Sequence, residues 1–373
     1  MSHNQLSAQT PVPASVDASD TDGSTDMPFV SVLVPVRNEE RFLTATLDQL
    51  LYQDYPTDRY EVIVADGCST DRTVEIVHER QQEAPHLTLV ENPGRWSSAG
   101  RNAALRAARG EYLVVVDGHC QLDSRNYLRR LVSAFERSGA ETLGRPQPQQ
   151  VDQSSLLQQA IAAARESWLG HHSSSFIYSG TEQIVPPQSV AVAYRRKVFE
   201  HLGGFDPNFD ACEDVEFNHR VAAAGYRCFF TPTIEARYFP RQSLRGLFRQ
   251  LSRYGRGRVR LWRKHPETFS LSSFVPAAFL LFAVILGPLA ALINSSLALG
   301  YGAVIGIYFS VVLLVSATVA LRHRRAILFC WLPAVFATIH AAAGYGVLVE
   351  ALCGPKQSPQ QSDTPLSLQV GSR

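Results

Sequence analysis

The sequence has no GxGxxG after its first apolar run and no GxxxxGK[ST] anywhere, which argues against a dinucleotide fold and against a P-loop. It also lacks a charge imbalance. Lys and Arg total 35 and Asp and Glu 34, so bulk electrostatics does not point to nucleic acid. The six cysteines, Cys68, Cys120, Cys212, Cys228, Cys330 and Cys353, show neither paired nor metal-ligand spacing and read as reduced thiols facing cytosol or lipid. Residues 1–27 are polar, rich in Ser, Asp and Thr, without the apolar stretch of a secretory signal; the expectation there is a disordered tail. Two local biases hide under the balanced average. Acidic residues are missing from Arg237 to Lys264, where basic ones recur, and residues 272–352 are almost entirely apolar.

What is present begins with alternation. Residues 29–36, 60–65, 87–90 and 112–116 are short apolar runs with β-branched residues and read as strands. Between them, 39–53, 70–81 and 97–109 have helical spacing. Strands alternating with helices imply an α/β fold with a parallel, doubly wound sheet. Further on, a helix is expected near 156–168, a strand at 190–194, and a helix at 213–224 with acids in its first turn. Residues 145–190 are otherwise expected to be loops and acceptor-facing surface.

Three apolar stretches follow, about 272–293, 296–321 and 326–352, each exceeding the roughly 20 residues that span a bilayer. The third carries Pro333 and Glu350, which weaken its reading as a span. The loop Arg322-His-Arg-Arg325 is basic and Asn294-Ser-Ser296 is uncharged. By the positive-inside bias the basic loop is cytoplasmic, and two crossings from it the region before the spans is cytoplasmic too.

Strand ends carry the polar groups. The first is followed by Arg37-Asn38-Glu39-Glu40, the second runs into Asp66-Gly67-Cys68-Ser69-Thr70-Asp71, and the fourth ends in Asp117-Gly118-His119. Arg101-Asn102 lies on the helix before that fourth strand, and Cys212-Glu213-Asp214 opens a later helix. Singly, each has an ordinary reading: Asp66-Gly67 suits a turn, and Thr70 or Asp71 a helix cap. Together they converge on the edge where ligands of open α/β sheets bind. A carboxylate and an imidazole two residues apart can share a divalent metal, which can in turn hold a diphosphate.

These segments, with Ala99-Gly-Arg-Asn102, Ala193-Tyr-Arg-Arg, Gly203-Gly-Phe-Asp206 and Arg253-Tyr-Gly-Arg-Gly-Arg258, make the chain resemble the family 2 glycosyltransferases of the GT-A fold. The resemblance is closest to the membrane-bound glucosyltransferases of succinoglycan-type exopolysaccharide assembly. It covers roughly residues 29–265. It implies that Pro35, Arg37, Glu39 and Asp66 bind the nucleotide of a nucleotide sugar, with Glu39 and Asp66 at its ribose and base, and that Arg101 contacts the nucleotide or its diphosphate. Asp117 corresponds to the first position of the family's D-x-D motif, and His119 stands where the metal-binding second Asp is usual. The implied cofactor is a divalent metal, Mn²⁺ or Mg²⁺, held by Asp117 and His119. Asp214 corresponds to the general base, with Glu213 and Tyr254 on the acceptor side. The implied reaction is an inverting transfer of a hexose, glucose from UDP-glucose, to a polyprenyl-diphosphate-linked saccharide at the cytoplasmic face of the inner membrane. The implied division is a tail to 27, a GT-A domain over 28–238, a basic helix over 239–265, about three membrane helices over 272–352, and a tail over 353–373.

Arg241, Arg245, Arg249 and Arg253 recur every four residues, with Leu244, Leu247, Phe248 and Leu251 between them. Such a helix suits the membrane interface, where lipid accounts for its charge without nucleic acid. Within it, Gln250-Leu-Ser-Arg253-Tyr254 resembles the Q-x-x-R-W motif of processive synthases, whose Arg reaches the donor diphosphate. Two further readings stay open: a processive synthase, which the few spans disfavour, and a non-catalytic scaffold that binds a nucleotide sugar.

Overall fold

Val30–Val36 is buried along almost its whole length and forms β1, the centre of a sheet. It pairs in parallel with β2 (Tyr60–Asp66) and β4 (Tyr112–Val115), and β2 pairs in parallel with β3 (Leu87–Glu91). A strand with neighbours on both edges and helices on both faces has no polar face to show, which is why its sequence is a run rather than an alternation. The helices between are α1 (Leu43–Leu51), α2 (Thr73–Gln81) and α3 (Ser97–Ala107). The computed structural model describes residues 27–122, 124–152, 154–170 and 176–354; the expected N-terminal tail, apart from Met27, and the expected C-terminal tail, apart from Cys353 and Gly354, lie outside the described residues.

Two of the helices begin later than their spacing suggests, α1 at Leu43 rather than 39 and α2 at Thr73 rather than 70. The residues between are spent on lacing two loops together. Asn38, at φ 56°, donates its N–H to Ser69 Oγ and accepts from the Thr70 N–H, both at 2.8 Å. The Glu39 N–H donates to Thr73 Oγ1 at 2.8 Å. Side chains that satisfy turn backbone compete with helix formation at just such positions.

Past β4 the sheet is mixed. β5 (Cys120–Leu122) leaves it, α4 spans Tyr127–Ser138, and β6 (Thr142–Gly144) returns. After α5 (Leu156–Glu166) come β7 (Gln183–Val185), β8 (Ala191–Arg195), α6 (Arg196–Leu202), α7 (Glu213–Ala223), β9 (Cys228–Phe230) and β10 (Ala236–Tyr238). The eight-stranded order among the described residues is β3-β2-β1-β4-β8-β6-β9-β7, with β8 antiparallel to both β4 and β6. The mostly parallel sheet expected from the sequence is thus what forms, with the first four strands parallel throughout and antiparallel pairing entering at β8. β10 pairs antiparallel with β5, Tyr238 opposite Cys120, forming a two-stranded latch beside the main sheet.

The chain then enters α8 (Leu244–Lys264) and three helices long and apolar enough to cross a membrane: Leu271–Ala291, Ser295–Arg322 and Leu332–Cys353. The first comprises α9 (Leu271–Leu281), a π-helical turn over Phe282–Leu286 and α10 (Gly287–Ala291). The others are α11 (Ser295–Arg322) and α12 (Leu332–Cys353). Leu292, Ile293, Leu299 and Leu321 are exposed, as lipid-facing residues are in the absence of lipid. Pro333 falls in the first turn of α12, where its missing N–H costs nothing. Arg241 lies before the start of α8, so the four-residue arginine period includes one residue outside the helix. The apolar face of α8 also has a protein partner, α12, rather than lipid alone.

Glycines bring the backbones of α8 and α12 together. A Cβ on Gly346 would lie 2.1 Å from the Ser252 carbonyl oxygen, and one on Gly255 would lie 2.5 Å from that of Ala343. Small residues let helix backbones touch, the commonest device for helix association in lipid. Gly346→Leu is therefore expected to separate the two helices and destabilise the folded protein by at least roughly 1–3 kcal/mol, the usual range for overpacking. Gly302→Leu, on a face of α11 with open space around it, is expected to change nothing. Thermal unfolding in detergent micelles compares them directly.

Candidate active site

Helix α3 organises the site. It is buried from Ser98 to Leu105, about two turns, and three polar side chains on it hold α7 and the segment that leads to it. Ser98 Oγ donates to the Phe209 carbonyl at 2.7 Å. Asn102 donates to the Phe205 carbonyl at 2.7 Å and accepts from the Phe205 N–H at 2.8 Å, a two-bond clamp. Between them Arg101 reaches Glu213 at 3.4 Å and Asp117 at 3.9 Å. One buried guanidinium thus joins the end of the fourth strand to the first turn of α7.

Asp117 and His119 occupy the loop between β4 and β5. Thr46 on α1 fixes that loop by donating its hydroxyl toward the Gly118 and Cys120 carbonyls, at 3.2 and 3.0 Å. A Cβ on Gly118 would meet Val36 Cγ1 at 2.7 Å, so the loop needs glycine there. Burial pushes against a charge on Asp117, but Arg101, His119 and Arg145 nearby and a hydrogen bond from Tyr238 prevail and hold its carboxyl below the usual value. Arg145 is fully buried, donating to Tyr127 Oη and the Val115 carbonyl. Burial likewise opposes a charge on His119. The Glu39 carboxylate, 2.9 Å from Nδ1, and Asp117 outweigh it and hold the imidazole above its ordinary pKa.

The acids of α7 differ sharply from each other. Glu213 is buried and tied to Arg101; burial first, then Asp214, raise its pKa, against the pull of Arg101. Asp214 is exposed to the cavity. Its Oδ1 accepts from the Val215 N–H at 2.8 Å, and no hydrogen bond to Oδ2 occurs among the described residues. The turn before them places Cys212 at φ 62°, a left-handed conformation that a non-glycine residue holds only where its surroundings fix it.

These groups line a cavity of about 440 Å³. It is bounded by Arg101, Asp117, His119, Glu213, Asp214, Arg253 and Tyr254 among the expected residues. Asp210, Arg165, Arg241 and Arg258 also line it; Arg241 belongs to the arginine period and Arg258 to the Arg253–Arg258 segment, whereas nothing in the sequence marks Asp210 or Arg165. Arg253 turns inward on Asp210, donating to its carbonyl with Nε 3.8 Å from its carboxylate. Gln250 accepts from Arg241 and donates to Tyr254 Oη, each at 3.2 Å.

Pro35, Arg37, Glu39 and Asp66 form a second group, on a ledge at the ends of β1 and β2, where Pro35 pairs with Ala65 and Val36 with Asp66. Asp66 Oδ2 accepts from the Ser69 N–H at 3.0 Å, whereas its buried Oδ1 has no hydrogen-bond partner among the described residues. A buried acceptor left open is costly unless something else donates to it. The His119–Glu39 bond connects ledge and cavity, a contact no sequence pattern announced.

Asp117 offers a carboxylate and His119 an imidazole whose Nδ1 is oriented by Glu39. A carboxylate behind a histidine is the usual support of a metal ligand, so these residues suit a divalent cation that also takes phosphate oxygens. The three-ligand group found among the described residues lies elsewhere: His219, His265 and Glu267, at the junction of α7 with the end of α8. There the histidines are engaged by Glu267 at 2.7 Å and Glu216 at 3.0 Å.

Residues 31–203 match the family model described as "Glycosyl transferase family 2", and residues 123–348 that described as "Glycosyl transferase family group 2". The chain is 31% identical over 265 residues to succinoglycan biosynthesis protein ExoA of Rhizobium meliloti (strain 1021), covering 70% of this chain and 78% of that protein. It is 24% identical over 332 residues to a dolichyl N-acetyl-alpha-D-glucosaminyl phosphate 3-beta-D-2,3-diacetamido-2,3-dideoxy-beta-D-glucuronosyltransferase of Methanococcus voltae, covering 86% and 96%. In fold it is similar to mannosyltransferase PcManGT from Pyrobaculum calidifontis, solved with GDP-Man and Mn²⁺, with a TM-score of 0.55, 23% identity and 89% of each chain covered.

The Arg101 clamp has a pH signature. Arg101→Met leaves Glu213 buried without its cation, a change that typically costs about 3–5 kcal/mol. Glu213, already held above the usual carboxylate value, rises further. The native state then keeps a proton that the unfolded chain has released, so stability falls as pH rises from the ordinary carboxylate pKa toward the raised one. Melting temperatures of Arg101→Met are expected to fall further below those of the unaltered protein at pH 8 than at pH 5; an equal deficit at both would mean that Arg101 does not pull the Glu213 pKa down.

Proposed function

The chain belongs to glycosyl transferase family 2, and from that membership we propose that it is an inverting transferase carrying a hexose, glucose from UDP-glucose in the first instance, to a polyprenyl-diphosphate-linked saccharide at the cytoplasmic face of the inner membrane. One observation carries the reading: within a single cavity, an acid with an open oxygen, Asp214, faces the paired Asp117 and His119, with guanidinium groups between and around them.

In this reading the ledge binds the nucleotide. The open Asp66 Oδ1 accepts an N–H of the base, Glu39 serves the ribose side, and Pro35 and Arg37 border them. The diphosphate lies toward Asp117 and His119, where a divalent metal would neutralise charge on the departing group. A metal is supported by the donor set and by the Mn²⁺ in the mannosyltransferase of similar fold. Arg253 swings from Asp210 to the diphosphate. Asp214 takes the proton of the acceptor hydroxyl as its oxygen attacks the anomeric carbon opposite the leaving diphosphate, so configuration inverts. Glu213, locked to Arg101, holds the helix end in place, and Tyr254 borders the acceptor. Residues 28–238 are the transferase unit, 239–265 the basic helix against the bilayer and 272–352 the anchor. The lipid-linked acceptor is supported by the membrane helices and by the dolichyl phosphate in the name of the Methanococcus relative.

Purified protein given a panel of nucleotide sugars and a lipid extract of its source membranes is expected to transfer from UDP-glucose, and Asp214→Asn to lose about 10²–10⁴ in rate while binding donor nearly as before. Near-normal turnover by Asp214→Asn would sink the assignment of the base. If His119 holds the metal, its nitrogen favours Mn²⁺ over the all-oxygen surroundings that Mg²⁺ prefers. His119→Asp is then expected to shift the ratio of rates in Mn²⁺ and Mg²⁺ toward Mg²⁺; an unchanged ratio means that His119 is no ligand.

A further inference from the structure

Glu350 is an acid near the end of a membrane helix, 1% exposed. Left alone it would be charged in a medium that penalises charge, and acids within such helices are paired and functional more often than not. Its partner is Arg260 of α8, also buried: Nε lies 2.7 Å from Glu350 Oε1 and Nη2 3.2 Å from Oε2, a fork of two charge-assisted bonds. The remaining nitrogen points the other way. Nη1 of Arg260 donates to Asp210 Oδ1 at 2.6 Å and to the Asn208 carbonyl at 3.3 Å. Asp210 lines the cavity, and Arg253 closes on it from the other side.

Charges therefore alternate from the membrane helix to the cavity: Glu350, Arg260, Asp210, Arg253. The segment between Asp210 and Glu213 is the turn with Cys212 in left-handed conformation. Against it α8 presents Gly257, where a Cβ would lie 2.7 Å from the Ala211 carbonyl oxygen and 2.8 Å from Cys212 Sγ. The turn is thus pinned at one end by Arg260 and along its backbone by α8 itself. As a source of stability alone the arrangement is poor, since replacing a buried ion pair with apolar residues is often neutral or stabilising. As a means of orientation it is effective, because a guanidinium gripped by a fork at one edge has little freedom at the other.

We propose that Glu350 is a positioning residue for transfer: acting through Arg260, it fixes Asp210 and so sets the turn that presents Asp214 to the acceptor. The proposal rests on the reading of Asp214 as the base. It makes a membrane helix part of the alignment of the catalytic groups rather than an anchor only.

The test uses the full-length protein in detergent or bilayer nanodiscs and the donor that supports transfer in the nucleotide-sugar panel, with nucleoside diphosphate release as the readout. Glu350→Gln is expected to lower kcat about 10-fold or more while donor KM stays within about threefold, and Glu350→Asp to recover part of the loss. The double replacement Glu350→Leu/Arg260→Met removes the buried pair as a unit and leaves Asp210 to Arg253. It is expected to melt at or above the temperature of the unaltered protein and to remain as slow as Glu350→Gln. Asp210→Asn is expected to be slow as well, and Asp210→Asn/Glu350→Gln no slower than the worse single variant, as coupled residues behave. A stable apolar double variant with normal kcat would overturn the proposal. So would losses from Asp210→Asn and Glu350→Gln that multiply, a comparison that decides the matter even where the apolar variant does not fold. Asp214→Asn run alongside separates the two readings. If it is active, the assignment of the base has failed; if it is dead while Glu350→Gln is normal, only the positioning role has.

Discussion

The site depends on one cation shared by two acids. Asp117 comes from a loop after the fourth strand and Glu213 from a helix that begins far along the chain, and Arg101 is buried between them. Two carboxylates brought this close in a poorly hydrated place would repel, and one would take up a proton. The guanidinium opposes that protonation, although Glu213 stays above its ordinary pKa, and ties the two ends of the cavity together. Much of the neighbouring structure keeps that tie in register. Ser98 and Asn102, on the same helix, hold the incoming segment by its backbone, and Thr46 holds the loop that carries Asp117. With Glu213 committed to the tie, the acid beside it is the one left open to the cavity.

The latch between β5 and β10 adds a second constraint. Cys120 and Tyr238 face each other in it, and Tyr238 reaches Asp117 with its hydroxyl. The strand that leads to α8 is thereby stitched to the loop that bears His119. Arg241 and Arg253, which lie beyond the latch in sequence, reach the same cavity because the chain is redirected there. The basic segment is consequently one wall of the site, and its arginines divide between the cavity and the exposed surface, where Arg245 and Arg249 remain.

The sequence made the first half of the sheet legible because strands buried on both faces must be continuous apolar runs, and because polar residues collected where those runs stop. Strand direction carries no such mark: Ala191–Arg195 reads the same either way, and its antiparallel course is set by its pairing with β4 and β6. Helix starts at Leu43 and Thr73 were misjudged since Asn38, Ser69 and Thr70 satisfy one another across two loops, a partnership invisible to any window along the chain. Glu350 weakened the last span when read alone. Its partner lies 90 residues away on α8, and a pattern that treats each span separately cannot see the pair. Asp210 and Arg165 carry no mark in the sequence for a related reason, being brought to the cavity by tertiary packing rather than by a motif. Asp117, His119, Glu213, Asp214 and Arg253 do meet at that cavity, whereas Pro35, Arg37, Glu39 and Asp66 form a separate ledge joined to it by the His119–Glu39 bond.

The glycine seam between α8 and α12 has a mechanical meaning. Where side chains separate two helices, the layer between them yields by rotamer changes, and one helix can ride over the other. Here carbonyl oxygens and main-chain atoms are in direct contact at Gly255 and Gly346, and on its opposite side α8 touches the Cys212 turn through Gly257 in the same way. At Gly255 and Gly346 no side-chain layer separates the two helix backbones. The wall that α8 gives the cavity is therefore held at a fixed distance from α12, as the stop on a depth gauge fixes its reach, and whatever is to react there must bring its reactive end to that wall.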